Sequence, residues 1–347
     1  MIKRYCFLSL VSILAIVMTG CSDWTEPEAK DFFKKPSEDY YKALRAYKKT
    51  DHQLAFGWFG NVTGTGASLS NSFEGLPDSM DIVSIWSGVE CEEYFEDMHR
   101  CQAVKGTRVV KCKFAREVPE KYGWDGTNPS EDNEVMVKAV REFAKDICEE
   151  LLDKGYDGLD IDYEPTVGGP EAKGNLSQNK AAMVVWIKAL GEYLGPKSGT
   201  DKLLLIDGEI NHANLRDLGH YFNYLVSQSY GTRGNSLLES KLRNVLNNYT
   251  KSEIDPLTDE EITTKFIVTE NFESVATAAA GGYDFTDDNG NKMKSLEGMA
   301  RWMPANGYRK AGVGTYHMEA EYPTTPEYKW MRQAIQIMNP SMKTLIK

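Results

Sequence analysis

The sequence from residue 157 to residue 164 reads Asp-Gly-Leu-Asp-Ile-Asp-Tyr-Glu, so acidic and apolar side chains alternate along it. Alternate residues of a β-strand point to the same face, which places Asp160, Asp162 and Glu164 together. Like charges this close raise the pKa of at least one carboxyl group. A structural strand has little reason to carry this repulsion. A catalytic strand uses it, because a carboxyl group that stays protonated near neutral pH can act as a general acid.

Short β-rich runs alternate with segments of helical period on both sides of this stretch, which predicts parallel β/α architecture. Eight strands are predicted, at residues 54–59, 81–86, 107–114, 158–164, 203–207, 224–230, 265–269 and 312–316. Helical patterns are predicted at residues 134–152, 179–194, 237–246, 293–303 and 327–338. This outline predicts an α/β fold, a (β/α)8 TIM barrel in a single domain. The alternative is a doubly wound sheet, but no Gly-rich phosphate loop follows the first strand.

The position of Glu164 at the end of the fourth strand predicts a catalytic role, because TIM-barrel sites lie at the C-terminal ends of the strands. An enzyme that hydrolyses a sugar bond normally pairs its acid with a second carboxylate, which acts as nucleophile or base. Asp162 is too close to Glu164 in sequence to take that role from the opposite face of the sugar. It could instead bind the N–H of a 2-acetamido group, whose own oxygen would then be the nucleophile. Asp160, deeper in the barrel, could share a proton with Asp162.

The stretch resembles the D-G-x-D-x-D-x-E signature of glycoside hydrolase family 18, which contains chitinases and endo-β-N-acetylglucosaminidases. The resemblance implies a (β/α)8 fold with the motif on the fourth strand, and substrate-assisted catalysis. Residues 227–230 read Ser-Gln-Ser-Tyr and resemble the Gln-x-Tyr pattern of the endo-β-N-acetylglucosaminidase branch. Chitinases usually carry Met-x-Tyr-Asp there. The resemblance implies that Tyr230 donates a hydrogen bond to the acetamido group and that Gln228 helps to position it.

Three departures from chitinases favour the same branch. The third strand lacks the usual S-x-G-G, about 40 residues separate the seventh and eighth strands, and Tyr316-His317 stands where chitinases place a Trp. An open cleft of this kind suits the core of a branched N-glycan. The alternatives are a chitinase or chitooligosaccharide hydrolase, and a catalytically inactive glycan-binding protein. The presence of Glu164 favours an enzyme over a binding protein.

Further polar and aromatic residues at strand ends are predicted to contact sugar: Trp58, Asn61, Trp86, Glu209, Asn211, Glu270, Asn271, Tyr316 and Glu319. No cofactor and no metal site is predicted, because the five histidines show no ligand spacing and no Cys-x-x-Cys occurs. The remaining cysteines are Cys91, Cys101, Cys112 and Cys148. A disulfide between Cys91 and Cys101 and burial as free thiols are both open.

The N-terminus has the form of a secretory signal, with Lys3 and Arg4 before an apolar run. Residues 18–21 read Met-Thr-Gly-Cys and resemble a bacterial lipobox, which implies lipidation of Cys21. The alternative is an ordinary cleaved signal with Cys21 as a bystander.

This pattern predicts a lipoprotein signal peptide at residues 1–20, a lipid-anchored tether at 21–45 and the barrel at 46–347. The expected location is the outer membrane or cell surface, with components of a glycan-uptake system as candidate partners. Loss of the signal removes two positive charges and moves the formal net charge from −11 to −13. So acidic a chain is a poor partner for nucleic acid, whereas a neutral, GlcNAc-containing glycan suits it.

Overall fold

The computed structural model describes residues 36–166 and 175–340. The predicted signal peptide, Cys21 and most of the predicted tether lie outside these residues, so the domain boundaries at residues 20 and 45 stay predictions. The chain divides into two units, residues 1–41 and 42–347. Helix α1 spans Glu38–Tyr47. No helix in the described ranges is long and apolar enough to cross a bilayer.

The second unit contains a closed barrel of eight parallel strands, in which the last strand pairs with the first. These strands are β1 (Leu54–Phe59), β2 (Ile82–Ile85), β3 (Arg108–Phe114), β4 (Gly158–Tyr163), β5 (Leu203–Gly208), β6 (Tyr224–Gln228), β7 (Phe266–Asn271) and β10 (Gly312–Tyr316). Strands β8 (Asp284–Thr286) and β9 (Lys292–Lys294) form a small antiparallel hairpin between β7 and β10. The prediction of a (β/α)8 barrel is confirmed, and the doubly wound sheet is wrong.

Helices follow most of the barrel strands. They are α2 (Glu92–Lys105), α3 (Glu134–Asp153), α4 (Lys180–Leu190), α5 (Asn235–Tyr249), α6 (Asp259–Thr263), α7 (Val275–Ala280), α8 (Ser295–Arg301) and α9 (Lys329–Met338). Asn133 caps the N-terminus of helix α3, because its side chain accepts hydrogen bonds from the N–H groups of Val135 and Met136.

The strand period separates two cores. On β4, Leu159, Ile161 and Tyr163 are fully buried in the large core between the barrel and its helices. Asp160 and Asp162 therefore point into the barrel, whose own apolar core includes residues of β1, β2, β3, β5, β6 and β7. The alternation predicted for this strand is thus confirmed.

The first two residues of the motif fix the start of β4. The Asp157 carboxylate accepts hydrogen bonds from the Val109 N–H at 2.9 Å and the Gln102 side chain at 2.8 Å. Gly158 has a φ of +153°, and a Cβ atom there would overlap the carbonyl oxygen of Leu203 on β5. Only glycine permits β4 and β5 to approach this closely. The motif thus begins with residues that hold the strand and ends with its acidic groups.

Candidate active site

A cavity of about 250 Å³ opens at the C-terminal ends of the strands. It is lined by Trp58, Trp86, Cys112, Phe114, Asp162, Glu164, Asp207, Gln228, Tyr230 and Tyr316. Four of the five predicted catalytic residues are in this lining. The fifth, Asp160, lies beneath it and is fully buried.

Asp160 is held by two donors from neighbouring strands. Its Oδ2 atom accepts hydrogen bonds from the Trp58 indole N–H at 2.9 Å and from the Ser84 hydroxyl at 2.7 Å. Burial raises the pKa of Asp160 to about 6, although both donors oppose the shift. The predicted sugar contact Trp58 therefore has a second role, because its N–H group is already bound to this carboxylate.

Asp162 lies one pleat closer to the mouth of the cavity. Burial, followed by the charges of Glu164 and Asp160, raises the pKa of Asp162 to about 7, and Arg116 opposes the shift. Asp162 therefore changes protonation state near neutral pH. When charged, it can accept a hydrogen bond from a ligand N–H; Glu164 follows it, half-buried, at the end of the strand.

Sequence reasoning missed a further carboxyl group, Asp207 on β5. It is 1% exposed, stands opposite Asp162 in the β4–β5 register, and accepts a hydrogen bond from the Gln228 side-chain amide at 2.9 Å. Burial, reinforced by the charges of Asp160 and Asp162, raises the pKa of Asp207 well above its ordinary value. Its position in the strand could have revealed it. Leu205, two residues earlier, packs inside the barrel, and alternate residues share a face, so Asp207 also points inward.

The other side of the cavity is aromatic. Tyr230 stacks on Tyr316 with ring centroids 6.0 Å apart, and Trp86 and Trp58 lie 5.6 and 6.1 Å from Tyr316. Aromatic faces of this kind pack against the C–H surface of sugars. Burial raises the pKa of Tyr230 well above its ordinary value, so its hydroxyl stays protonated and can donate a hydrogen bond.

Comparison with known proteins gives one consistent result. The sequence profile described as "Glycoside hydrolase family 18, BT1044-like" matches residues 25–337. The chain belongs to glycoside hydrolase family 18. The expected fold and the position of the acidic motif on the fourth strand agree with this membership.

Three relatives place this family 18 hydrolase more closely. Over 335 residues it is 25% identical to endo-β-N-acetylglucosaminidase F2 of Elizabethkingia meningoseptica, covering 86% of this chain and 85% of that protein. A solved selenomethionine form of BT1044 with a Glu-to-Gln substitution is 27% identical, with a TM-score of 0.70 over 91% of this chain and 97% of the other. The endo-β-N-acetylglucosaminidase of Cordyceps militaris shares the fold, at 24% identity and a TM-score of 0.66, over 88% and 98% of the two chains.

Glu270 of this family 18 hydrolase does not face sugar, contrary to the sequence-based prediction. It is fully buried, and its Oε1 atom accepts hydrogen bonds from the N–H groups of Gly231 and Asn271, each at 2.8 Å. Its parity explains this, because Val268 on the same strand face packs in the outer core. Glu270 fixes the turn that follows Tyr230.

Four other predicted sugar contacts lie outside the cavity lining. Glu209 accepts the N–H of Thr166 at 2.9 Å, and Asn271 accepts the N–H of Glu273 at 2.7 Å. Asn61 and Asn211 are exposed. They stay predictions as contacts to more distant parts of a glycan.

Glu319 is tied to the rim of the family 18 cavity. It accepts the Gly60 N–H at 3.0 Å and pairs with His317 at 2.8 Å. His317 in turn packs on Trp86, with ring centroids 4.7 Å apart. Glu319 thereby supports the aromatic wall and is not itself in the lining.

The cysteines of the described ranges are all free thiols, so the Cys91–Cys101 disulfide is wrong and burial as free thiols is confirmed for Cys101 and Cys148. The Cys112 sulfur and one oxygen each of Asp160 and Asp207 lie within 4.8 Å of one another. We assign no metal to this group: burial raises the pKa of Cys112 well above its ordinary value, which keeps the thiol neutral, and Asp160 already accepts two hydrogen bonds.

Proposed function

We propose that this family 18 hydrolase is an endo-β-N-acetylglucosaminidase that cleaves the β-1,4 bond between the two core GlcNAc residues of N-glycans. One observation carries the mechanism. The carboxyl groups of the cavity lining are Asp162, Glu164 and Asp207, all from β4, β5 or the residue after β4. The facing wall supplies aromatic rings and an amide. A carboxylate placed to attack the sugar from the opposite side is therefore missing from this lining, which leaves the nucleophile to the substrate.

The reaction proceeds in two displacements. Glu164 donates its proton to the glycosidic oxygen while the 2-acetamido oxygen attacks the anomeric carbon, so the C1–O bond breaks and an oxazolinium ion forms. Charged Asp162 accepts the acetamido N–H and stabilises the positive charge. Glu164 then removes a proton from water, which attacks the anomeric carbon and opens the ring with retained configuration.

Features around the cavity support the core of an N-glycan as substrate. The segment between β7 and β10 adds only the β8–β9 hairpin and short helices, so no large insertion lengthens the cleft. Gln228 and Tyr230 stand together in the lining as the Gln-x-Tyr pattern requires. The relative from Elizabethkingia meningoseptica is named for this activity, and the similarity to it covers most of both chains.

Mass spectrometry of an N-glycosylated protein tests this proposal. The wild-type protein is expected to leave one GlcNAc on each asparagine. Glu164→Gln should lose turnover by roughly 10²–10⁴-fold while still binding the glycan, because only the transferable proton is removed. Glu92→Gln, an exposed change on α2, is the matched control. Release of chitooligosaccharides from chitin with no effect on glycoprotein would assign the enzyme to the chitinase branch, and binding without turnover by the wild type would make it a binding protein.

We further propose that the enzyme is lipidated at Cys21 and held at the outer membrane or cell surface, where released glycans would pass to uptake proteins. The lipobox-like residues 18–21 and the basic, apolar head support this. Metabolic labelling with a tagged fatty acid should mark the wild-type protein and not Cys21→Ser. An unlabelled wild-type protein found in the medium would instead indicate an ordinary cleaved signal.

A further inference from the structure

Three buried carboxyl oxygens of the acidic group in the barrel have no hydrogen-bond donor. They are Oδ1 of Asp160, Oδ1 of Asp162 and Oδ2 of Asp207, and the side chains of Asp160 and Asp207 are almost completely buried. Asp160 and Asp207 lie on paired strands, and an oxygen of each is within 4.8 Å of the other and of the Cys112 sulfur. A buried oxygen without a donor is costly. A proton on one of the two carboxyl groups makes its oxygen a donor to the oxygen of the other. One proton can thus satisfy the hydrogen-bonding needs of Asp160 and Asp207 together.

We propose that Asp207 holds a proton, donates it in a hydrogen bond to Asp160, and is thereby a positioning residue of the active site. This inference rests on the proposed function, because it concerns how the same acidic group is arranged for catalysis. Asp162, which sequence reasoning paired with Asp160, also interacts with it through charge, because the charge of Asp160 raises the pKa of Asp162.

The donors around the pair decide which carboxyl group is ionised. Asp160 accepts hydrogen bonds from Trp58 and Ser84, and both stabilise its charge. Asp207 receives one donor, the Gln228 amide. The hydrogen bond from Asp207 also lowers the pKa of Asp160, whereas the charge of Asp160 raises the pKa of Asp207. The proton therefore stays on Asp207, and Asp160 carries the charge with three donors.

The other titratable groups that face Asp207 are Asp162, Glu164, Cys112 and Tyr230. Each of them is neutral or negative, so none offsets a charge on Asp207. The positive charge of Arg116 lowers the pKa of Asp162. A neutral Asp207 limits the number of buried charges below Asp162.

Asp207 connects two parts of the site in this arrangement. Its Oδ1 atom accepts the Gln228 N–H, which fixes the orientation of an amide in the cavity wall. Its proton holds Asp160 ionised under the reacting centre. Asn is the close mimic of protonated Asp, because its oxygen can still accept from Gln228 while its NH₂ group donates to Asp160. Ala provides neither contact.

Activity assays test this positioning role. Asp207→Asn should keep kcat well within the roughly 10²–10⁴-fold loss that removal of a catalytic acid produces, with an unchanged pH profile. Asp207→Ala should lose kcat and move the acidic limb of kcat/KM to higher pH, because Asp160 loses a donor that lowers its pKa. A site in which Asp207 works as a carboxylate would remove this difference, with Asn as impaired as Ala.

NMR of protein labelled with ¹³C at the Asp carboxyl carbons tests the proton without turnover. At pH 8 one Asp should keep the chemical shift of a protonated carboxyl group. That signal should vanish in Asp207→Asn and persist in the control Asp81→Asn, a buried Asp at the other end of the barrel. A signal that persists in Asp207→Asn, or its absence from the wild type, overturns the proposal.

Two safeguards keep the tests separate. If Asp207→Asn does not fold, Ser84→Ala serves instead: loss of a donor to Asp160 should raise the apparent pKa of the pair, and an unmoved titration contradicts proton sharing. If the wild-type protein removes no glycan, the proposed function fails, while the NMR result still decides whether Asp207 carries the proton.

Discussion

Asp162 is the residue at which stability and chemistry have opposite requirements. Its pKa is raised from the ordinary 3.8 to about 7, so the folded protein binds this proton more tightly than the unfolded chain does. Stability contributed by this group is therefore fully present at low pH and is lost as pH rises from about 4 to about 7. The charge that stabilises an oxazolinium ion is the same charge that destabilises the fold.

Asp162→Asn is expected to raise the melting temperature at pH 8 and to leave it nearly unchanged at pH 4, because Asn cannot ionise. A gain of 1 kcal/mol corresponds to roughly 2–4 °C in proteins of about 150–250 residues and to a smaller shift in this longer chain. Turnover should fall about 10²–10³-fold, as when one stabilising partner of a charged intermediate is lost. Calorimetry at both pH values, with the exposed Asp132→Asn as control, measures this. Equal shifts at pH 4 and pH 8 would show that burial of charge is not the cause.

Residue parity explains which site residues the sequence revealed. The 2-residue period of β4 was enough to place Asp160, Asp162 and Glu164 on one face. Asp207 was missed because it is the single charged residue in an apolar strand, and Cys112 because it stands between two lysines. Only the pairing of β3, β4 and β5 brings them to the acidic group.

Strand-end position alone was misleading for Glu270. It indicates the correct end of the barrel but not the inner or outer face. Ile267 packs inside the barrel. Glu270 is three residues further along the strand, so its side chain points to the outer face. A strand-end rule combined with parity would have excluded it.

At the scale of secondary structure, β4 depends on one backbone position. Gly158 combines a φ of +153° with close contact to the backbone of β5. Because the side chains proposed to be catalytic follow it on the same strand, any displacement here moves Asp160 and Asp162 together.

Gly158→Ala should therefore reduce the free energy of unfolding by more than about 4 kcal/mol, the range of exceptional single substitutions. Gly199→Ala is the matched control: its φ is +72°, but a Cβ atom there meets no neighbour. It should cost only the roughly 1–2 kcal/mol of left-handed backbone. Urea unfolding of both variants makes the comparison. Similar losses in the two would mean that backbone conformation, and not the contact with β5, requires the glycine.

Helix α2 shows why some elements escaped sequence reasoning. Its inner face includes two charged residues, Asp97 and Lys105, which interrupt the apolar period. Both are satisfied by the preceding loop: Asp97 accepts the Phe73 N–H, and Lys105 donates to the Leu76 carbonyl. Contacts of this kind depend on tertiary structure and leave no periodic signal. Strands surrounded on both faces by apolar packing gave the clearer pattern.

In the molecule as a whole, the two ends of the barrel differ in structure and in proposed role. The carboxyl ends of the strands form the active-site cavity. At the amino ends, polar side chains at the end of α1 and just after it contact the barrel beside a second cavity of about 420 Å³. Arg45 donates to the Val104 carbonyl at 2.7 Å, and Lys48 donates to the Thr107 hydroxyl at 2.9 Å. Residues 45–48 therefore lie at the amino ends of the strands.

This entry point determines how an anchored enzyme would meet its substrate. Residues 45–48 meet the barrel at the end remote from the cavity, so a connection through the preceding chain, as in the proposed lipid anchoring at Cys21, need not pass the mouth of the cavity. The anchored protein and Cys21→Ser should then show the same ratio of kcat/KM values for a short glycopeptide and an intact glycoprotein. A selective loss of the large substrate on anchoring would place the mouth against the membrane. On the proposed anchoring, a glycoprotein would then approach the mouth from the surrounding medium without meeting the attached end of the chain.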